Sequence, residues 1–237
     1  MQAVILAGGK GTRLQPYTTI LPKPLMPVGD YPILEIIMRQ LKKAGVKEII
    51  LAVGYMHQLF QAFFNDGKRY GLKIIYSFEE KELGTAGPIS LILDILDKDF
   101  IVMNGDILTT LNYSDLFNFH HQKNSAATIA LSTREVNIDF GVIETNSDDK
   151  LIHYIEKPTY KFNVSMGINV MNKESIAPYL KIGEYRDIPD LMKRLIEDNK
   201  PVYCYRSDCY WLDIGRIEDY KIATEIFNTK KTEFLPS

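Results

Sequence analysis

The sequence predicts an α/β protein: a mixed, mainly parallel sheet flanked by helices, in three αβα layers. Two observations carry this. Apolar runs of strand length alternate with helical patterns through the first half of the chain, and such alternation builds βαβ units whose crossover helices cover both faces of a parallel sheet. In the second half, strand-like runs succeed one another through short polar turns such as Asn146-Ser147-Asp148-Asp149, which suits a mixed extension of that sheet.

The elements follow in order. Residues 3–6 are a short apolar strand, and 33–43 carries a helical pattern before strand 48–53. A second helix over 57–64 leads to strand 73–76, and a third over 89–96 leads to strand 100–103. Four further strands are expected at 126–132, 141–144, 151–156 and 165–170. Helix 188–198, strand 202–205 and helix 217–227, packed on the sheet, complete the core, and the polar tail 230–237 is expected to be loose. A chain of 237 residues with 46% hydrophobic content can bury one large core. Residues 1–237 are therefore expected to form a single domain, with residues 126–210 as an extension within it.

A net charge of −2 with 24% charged residues offers no broad basic surface for a nucleic-acid polymer. Local positive charge suffices for a mononucleotide. No run approaches eighteen consecutive apolar residues, and the N-terminus enters a strand without a cationic leader; a soluble, cytoplasmic protein without membrane contact is expected. Cys204 and Cys209 are the only cysteines, too few for a zinc site or a disulfide framework, and are expected as reduced thiols. His57, His120, His121 and His153 lack partners at ligand spacing, and Tyr203, Tyr205, Tyr210 and Trp211 read as core and rim.

The most informative segment follows the first strand directly: Ala7-Gly8-Gly9-Lys10-Gly11-Thr12-Arg13-Leu14, then Leu21-Pro22-Lys23-Pro24-Leu25. Gly8, Gly9 and Gly11 leave backbone N–H groups unshielded, so several can converge on phosphate oxygens, while Arg13 and Lys23 add full positive charge. A Walker A loop is excluded, because no Gly-Lys here is followed by Ser or Thr. The dinucleotide fingerprint is excluded as well: Leu14 stands where its third glycine belongs, and Pro16, Pro22, Pro24 and Pro27 forbid an immediate long helix. In a Rossmann-like sheet ligands sit beyond the strand C-termini. Asn104-Gly105-Asp106 follows its strand just as the glycine loop does, so both motifs should open onto one crevice.

These residues resemble the sugar-1-phosphate nucleotidylyltransferases, whose signature G-G-x-G-T-R-L is followed by a K-P in a proline-rich segment. The mannose-1-phosphate guanylyltransferase branch is the most similar. The resemblance continues through Leu83-Gly84-Thr85-Ala86-Gly87-Pro88, Val102-Met103-Asn104-Gly105-Asp106, Phe140-Gly141-Val142-Ile143, Ile155-Glu156-Lys157-Pro158 and Trp211-Leu212-Asp213-Ile214-Gly215, nearly the whole chain. It implies the GT-A-like fold of nucleotide-diphospho-sugar transferases, here a catalytic domain alone without the β-helix that some relatives append, and often a homo-oligomer.

The resemblance implies that a sugar 1-phosphate attacks a nucleoside triphosphate and releases pyrophosphate, with Arg13, Lys23, Asp106 and Asp213 as catalytic residues. Asp106 and Asp213 would hold Mg2+, which prefers a few carboxylates plus phosphate oxygens; by themselves, both read equally as turn or cap residues. The nucleotide is assigned to Leu6, Ala7, Gly8, Gly9, Gly11, Thr12, Arg13 and Lys23, with Glu79, Gly84, Thr85 and Asp106. The sugar phosphate is assigned to Gly141, Glu156, Lys157, Ser165 and Gly167, where Gly141 and Gly167 leave room for a flat pyranose. Ser165-Met166-Gly167 departs from the family's more frequent Asn-Ala-Gly. Thr85 is expected to cap the helix that follows it.

Glu79 precedes Gly84 by five residues, where relatives place a base-reading side chain. A carboxylate only accepts hydrogen bonds, and guanine presents two adjacent donors where uracil or thymine presents one N–H between carbonyls. GTP is favoured on that ground, although Glu79-Glu80-Lys81-Glu82 reads equally as a solvated run. The alternatives are a glucose-1-phosphate thymidylyl- or uridylyltransferase, a cytidylyltransferase, or a regulatory subunit that binds the sugar nucleotide without turning over. A glycosyltransferase is disfavoured, because the first half contains no Asp-x-Asp.

Overall fold

The computed structural model describes residues 1–235. Gln2–Leu6 forms strand β1, and the extended pairs Pro27–Val28 (β2) and Tyr31–Pro32 (β3) make a small ribbon before helix α1, Ile33–Lys43. Strand β4 (Glu48–Val53), helix α2 (His57–Phe64) and strand β5 (Lys73–Phe78) follow. A one-turn helix α3 (Gly87–Ser90) then leads to β6 (Asp99–Asn104), β7 (Ile107–Thr109) and helix α4 (Tyr113–Gln122). The second half holds β8 (Ala127–Asn137), β9 (Val142–Thr145), β10 (Leu151–Ile155), β11 (Thr159–Asn172) and α5 (Lys173–Ile176). Helix α6 (Ile188–Glu197), β12 (Val202–Arg206), β13 (Trp211–Asp213), α7 (Ile217–Thr229) and α8 (Lys231–Phe234) complete the chain.

Seven strands of the described residues form one sheet in the order β12-β8-β11-β6-β1-β4-β5. Four of its six pairings are parallel, and only β11 runs antiparallel to its neighbours β6 and β8. Side chains on β1 alternate between two cores, as the period of a strand demands: Ala3 and Ile5 pack with α1, α2, α4 and α7, while Val4 packs with α3, α5 and α6. The three-layer α/β expectation therefore holds.

Several details differ from the sequence reading. The helix expected over 89–96 breaks after Ser90, because Ile92 leaves the helical region at φ −128° and Leu96 turns extended; this irregular path buries Ile89, Ile92 and Leu96 in one core. Helix α4 was not anticipated. Asn112 starts it by accepting hydrogen bonds from the Ser114 and Asp115 N–H groups, and it buries Tyr113, Leu116 and His120. Strands β9 and β10 pair with each other as a separate hairpin rather than joining the sheet. The tail is not loose where it is described: α8 buries Phe234 completely against Phe227 and Tyr210. Residues 236–237 of the expected tail lie outside the described residues.

Candidate active site

The C-terminal ends of β1, β4, β5 and β6 open onto a cleft of about 890 Å³, a volume suited to a nucleotide. One wall is the glycine loop. The Ala7 N–H donates to the Ala52 carbonyl at 2.8 Å and the Gly105 N–H to the Leu6 carbonyl at 2.9 Å, so the loop and the Asp106 turn are pinned to adjacent strands. Gly11 sits at φ +62°, with Thr18 Oγ1 donating to its carbonyl at 2.8 Å. Leu6 to Arg13, Lys23, Glu79, Gly84, Thr85 and Asp106 all border the cleft, so every nucleotide residue expected from the sequence lies there.

Lys23 belongs to a single helical turn, Lys23–Leu25, that buries it to 7% exposure. Its Nζ is ion-paired with Asp106 Oδ2 and stands 3.9 Å from Asp213 Oδ1. Asp213 arrives there on β13, which pairs antiparallel with β7 so that Asp213 faces Ile107, and the Ile214 N–H donates to the Asp106 carbonyl at 3.1 Å. Trp211 anchors the same strand through Nε1–H donated to the Met166 carbonyl at 2.9 Å. Arg13 closes the group: its Nη1 lies 3.7 Å from where a side chain on Gly215 would begin. Burial raises the Asp213 carboxyl above its ordinary range and the Asp106 charge raises it further, against the lowering influence of Lys23 and Arg13.

A divalent cation fits this pair. Asp106 Oδ1 is buried and has no hydrogen-bond partner, and the Asp106 charge disfavours ionisation of Asp213. Among the described residues no cluster of three or more His, Cys, Asp or Glu side chains stands ready for a metal. Asp106 and Asp213 alone would leave most ligand positions to substrate oxygens and water, the habit of Mg2+ rather than of zinc.

The segment from Glu79 to Thr85 also borders the cleft. Glu79 Oε1 lies 2.6 Å from the position a Cβ on Gly8 would take, so glycine is needed for the carboxylate to stand there. Burial, and secondarily the Glu82 charge, raise the Glu79 carboxyl, while a backbone hydrogen bond at Leu83 opposes them. Thr85 does not cap the helix that follows it, which has no side-chain cap. Its Oγ1 instead accepts the Ile188 N–H at 2.8 Å and donates to Asp187 Oδ1 at 3.0 Å, tying it to the start of α6.

The sugar-side residues do not border the cleft. Glu156 and Lys157 are exposed just after β10, Lys157 at φ +45°. The space beside Gly141 is filled by the Tyr154 hydroxyl. Gly167, at φ +70°, lies at the register shift between β11 and β8 and backs onto Asn104, which does line the cleft, while Ser165 Oγ accepts the Gly167 N–H at 3.3 Å. The sequence assigns Lys10 and Asn104 no role of their own within the motifs expected at the crevice, and it does not point to Tyr55, Tyr185 and Asp187 as cleft residues. Tyr55 could have been found, since Gly54-Tyr55 follows β4 as the glycine loop follows β1. Asp187 carries no local signal.

Solved structures share this fold. A Bacillus anthracis structure determined with a sucrose superposes with a TM-score of 0.77 at 24% identity over 95% of this chain and 94% of that one. HddC from Yersinia pseudotuberculosis complexed with GMP-PN gives a TM-score of 0.72 at 25% identity, covering 95% of this chain and 99% of HddC. In sequence, the mannose-1-phosphate guanyltransferase of Schizosaccharomyces pombe is 33% identical over 238 residues, and the UTP–glucose-1-phosphate uridylyltransferase of Synechocystis sp. is 32% identical over 238. They cover 96% and 93% of this chain, which spans only 64% and 61% of their own lengths. The D-glycero-alpha-D-manno-heptose 1-phosphate guanylyltransferase of Campylobacter jejuni is 34% identical, with 93% of this chain matched to 97% of that protein. The nucleotidyl transferase model matches residues 2–230, and with a relative matched along almost its whole length, the chain belongs to the nucleotidyl transferase family.

Proposed function

We propose that the protein is a sugar-1-phosphate guanylyltransferase, joining GTP to mannose 1-phosphate or a related heptose 1-phosphate with release of pyrophosphate. The observation that carries this is the meeting of Arg13, Lys23 and Asp106, with Asp213 beside them, in a nucleotide-sized cleft that is also bordered by the half-buried Glu79. The names of the Campylobacter jejuni and Schizosaccharomyces pombe relatives support the same substrates.

The reaction brings two anions together. An oxygen of the sugar phosphate attacks the α-phosphorus, the bond to the β-phosphate oxygen breaks, and pyrophosphate leaves with that electron pair; the attacking group is already ionised, so no general base is required. Like charges at about 4 Å repel by roughly 4 kcal/mol at an effective dielectric near 20, so positioning and charge neutralisation are the chief catalytic work. The glycine-loop amides and Arg13 hold the terminal phosphates, and Lys23 sits where the α-phosphate must pass Asp106. Nucleotidyl transferases generally use a divalent metal. We assign Mg2+ to Asp106 and Asp213, where it would supply Lewis-acid charge to the phosphoryl oxygens. Glu79 accepts from the guanine N1–H and N2–H groups. Glu156 and Lys157 are assigned to the sugar hydroxyls and the sugar phosphate, with Gly141, Ser165 and Gly167 on the same side. The reaction belongs in the cytoplasm, where its substrates are made; among the described residues no helix is long and apolar enough to cross a membrane.

A second reading keeps the chemistry but takes UTP and glucose 1-phosphate, as the name of the Synechocystis relative suggests. Pyrophosphate release measured with GTP, UTP, dTTP and CTP against mannose, heptose and glucose 1-phosphates separates the two. GTP is expected to turn over fastest, and Asp106→Asn to lose activity by about two to three orders of magnitude. No turnover with any pair in the presence of Mg2+, or an Asp106→Asn enzyme as fast as the parent, would overturn the proposal.

A further inference from the structure

A strap from a distant part of the chain holds the segment 83–87 that borders the cleft. The Arg186 carbonyl accepts the N–H groups of Ala86 and Gly87 at 2.8 and 3.0 Å, and the Arg186 N–H donates to the Leu83 carbonyl at 3.0 Å. Asp187 Oδ1 accepts both the N–H and the hydroxyl of Thr85, each at 3.0 Å, while Oδ2 accepts the Tyr185 hydroxyl at 2.7 Å. Gly84, in the left-handed region at φ +74°, has no room for a side chain: a Cβ would stand 2.7 Å from the Arg186 carbonyl oxygen and 2.9 Å from Asp187 Oδ1. Tyr185 and Asp187 themselves border the cleft beside Gly84 and Thr85.

A glycine at positive φ and a solvent-facing turn have many conformations open to them. Here the Asp187 carboxylate adds to the Arg186 backbone bonds in removing that freedom, using one oxygen for the turn and the other for the aromatic side chain next to it. The Tyr185 hydroxyl, and after it the Thr85 N–H and hydroxyl, hold the Asp187 carboxyl below its usual range, so it is an acceptor throughout the neutral pH region. Among the described residues no hydrogen bond or ion pair joins this network to Arg13, Lys23, Asp106 and Asp213, which form their own group.

We propose that Asp187 is a positioning residue for the nucleotide, fixing the Gly84–Thr85 turn and Tyr185 in the conformation that receives the base. This rests on the cleft's being a nucleoside triphosphate site. The consequence is a division of labour: Asp187 governs how tightly the nucleotide binds and leaves the phosphoryl chemistry and the sugar phosphate untouched.

The test uses the full chain and four proteins: the parent, Asp187→Ala, Asp187→Asn and Tyr185→Phe. Dissociation constants for GTP with Mg2+ come from calorimetric titration, and KM for each substrate and kcat from pyrophosphate release. Asp187→Ala is expected to weaken GTP binding by roughly ten- to a hundredfold, the range for stranding one or two donors, with kcat and the sugar-phosphate KM within about threefold of the parent. Asp187→Asn should recover most of the loss, because its amide oxygen still accepts from Thr85, and Tyr185→Phe should fall between. Where the alanine variant melts early, the asparagine and phenylalanine variants decide: the inference stands if both bind GTP more weakly than the parent while the sugar-phosphate KM is unchanged. It is overturned if GTP affinity stays within twofold of the parent in every variant, if asparagine rescues nothing over alanine, or if both KM values rise in parallel. A parent that binds GTP without turnover would overturn the proposed activity while these affinity ratios still decide the role of Asp187. A parent that neither binds nor turns over GTP overturns both.

Discussion

Replacing Lys23 by methionine keeps most of the side-chain volume and removes the one charge that sits between Asp106 and Asp213. Breaking a buried ion pair from one side costs about 3–5 kcal/mol. The cost here lies below that range, because the Asp106 and Asp213 side chains retain 21% and 46% exposure and the Asp213 contact is already 3.9 Å long. Since Asp106 Oδ1 already lacks a partner, losing Lys23 strands the whole carboxylate, and about 2–3 kcal/mol is expected. For a chain of 237 residues that corresponds to a fall of about 4–12 °C in the melting midpoint. The signature is the response to metal. Freed of Lys23, the carboxylate pair gains affinity for Mg2+, so millimolar MgCl2 should raise the variant's midpoint more than the parent's, while pyrophosphate release stays depressed by about two to three orders of magnitude. Thermal denaturation with and without MgCl2 reads the effect. A metal-free variant melting within 1 °C of the parent (a margin of about 0.3 kcal/mol), or equal Mg2+ responses, would refute the reasoning.

Other outcomes follow from the same fold. Phe234→Ala empties a fully buried ring site against Phe227 and Tyr210 and should destabilise by about 3–4 kcal/mol in urea unfolding; a loss below about 0.5 kcal/mol, the usual scale for surface changes, would return the tail to the surface. Burial, partly offset by Asp99, holds the His120 imidazole below its ordinary value of 6.5. The unfolded chain therefore binds the proton first, and stability should decline as pH falls from about 6.5 toward the folded-state value, below which His120 adds no further slope. His120→Asn should flatten that part of the pH–stability curve, and identical slopes in the two proteins would count against it.

The chemistry-bearing half of the cleft was legible because its parts are local: strand, glycine turn and cation follow one another between Val4 and Lys23, and Asp106 ends a strand in the same way. Bringing Asp213 to Asp106 required the resemblance, since the β7–β13 pairing joins segments about a hundred residues apart with little pattern of their own. The same distance hid Asp187. Its position in the sequence suggests Thr85 as a cap for the nearest helix, whereas its hydroxyl accepts from the start of α6. Helix α4 escaped because polar and aromatic residues are mixed along it, with His120 serving as a core residue hydrogen-bonded to Thr128 at 2.9 Å. The residue pattern shows β9 and β10 as two strands, but nothing in their alternation says which sheet a strand joins.

In the proposed mechanism, the separation of the two carboxylates along the chain also sets when the protein becomes active as it is made. A polypeptide leaving the ribosome exposes the glycine loop, Lys23 and Asp106 well before the segment that carries Asp213 has been synthesised, and that segment settles only once β13 has paired with β7 and Trp211 has reached Met166. Translation products that stop short of residue 211 therefore carry the glycine loop without Asp213, and in the proposed mechanism they lack half of the metal-holding pair.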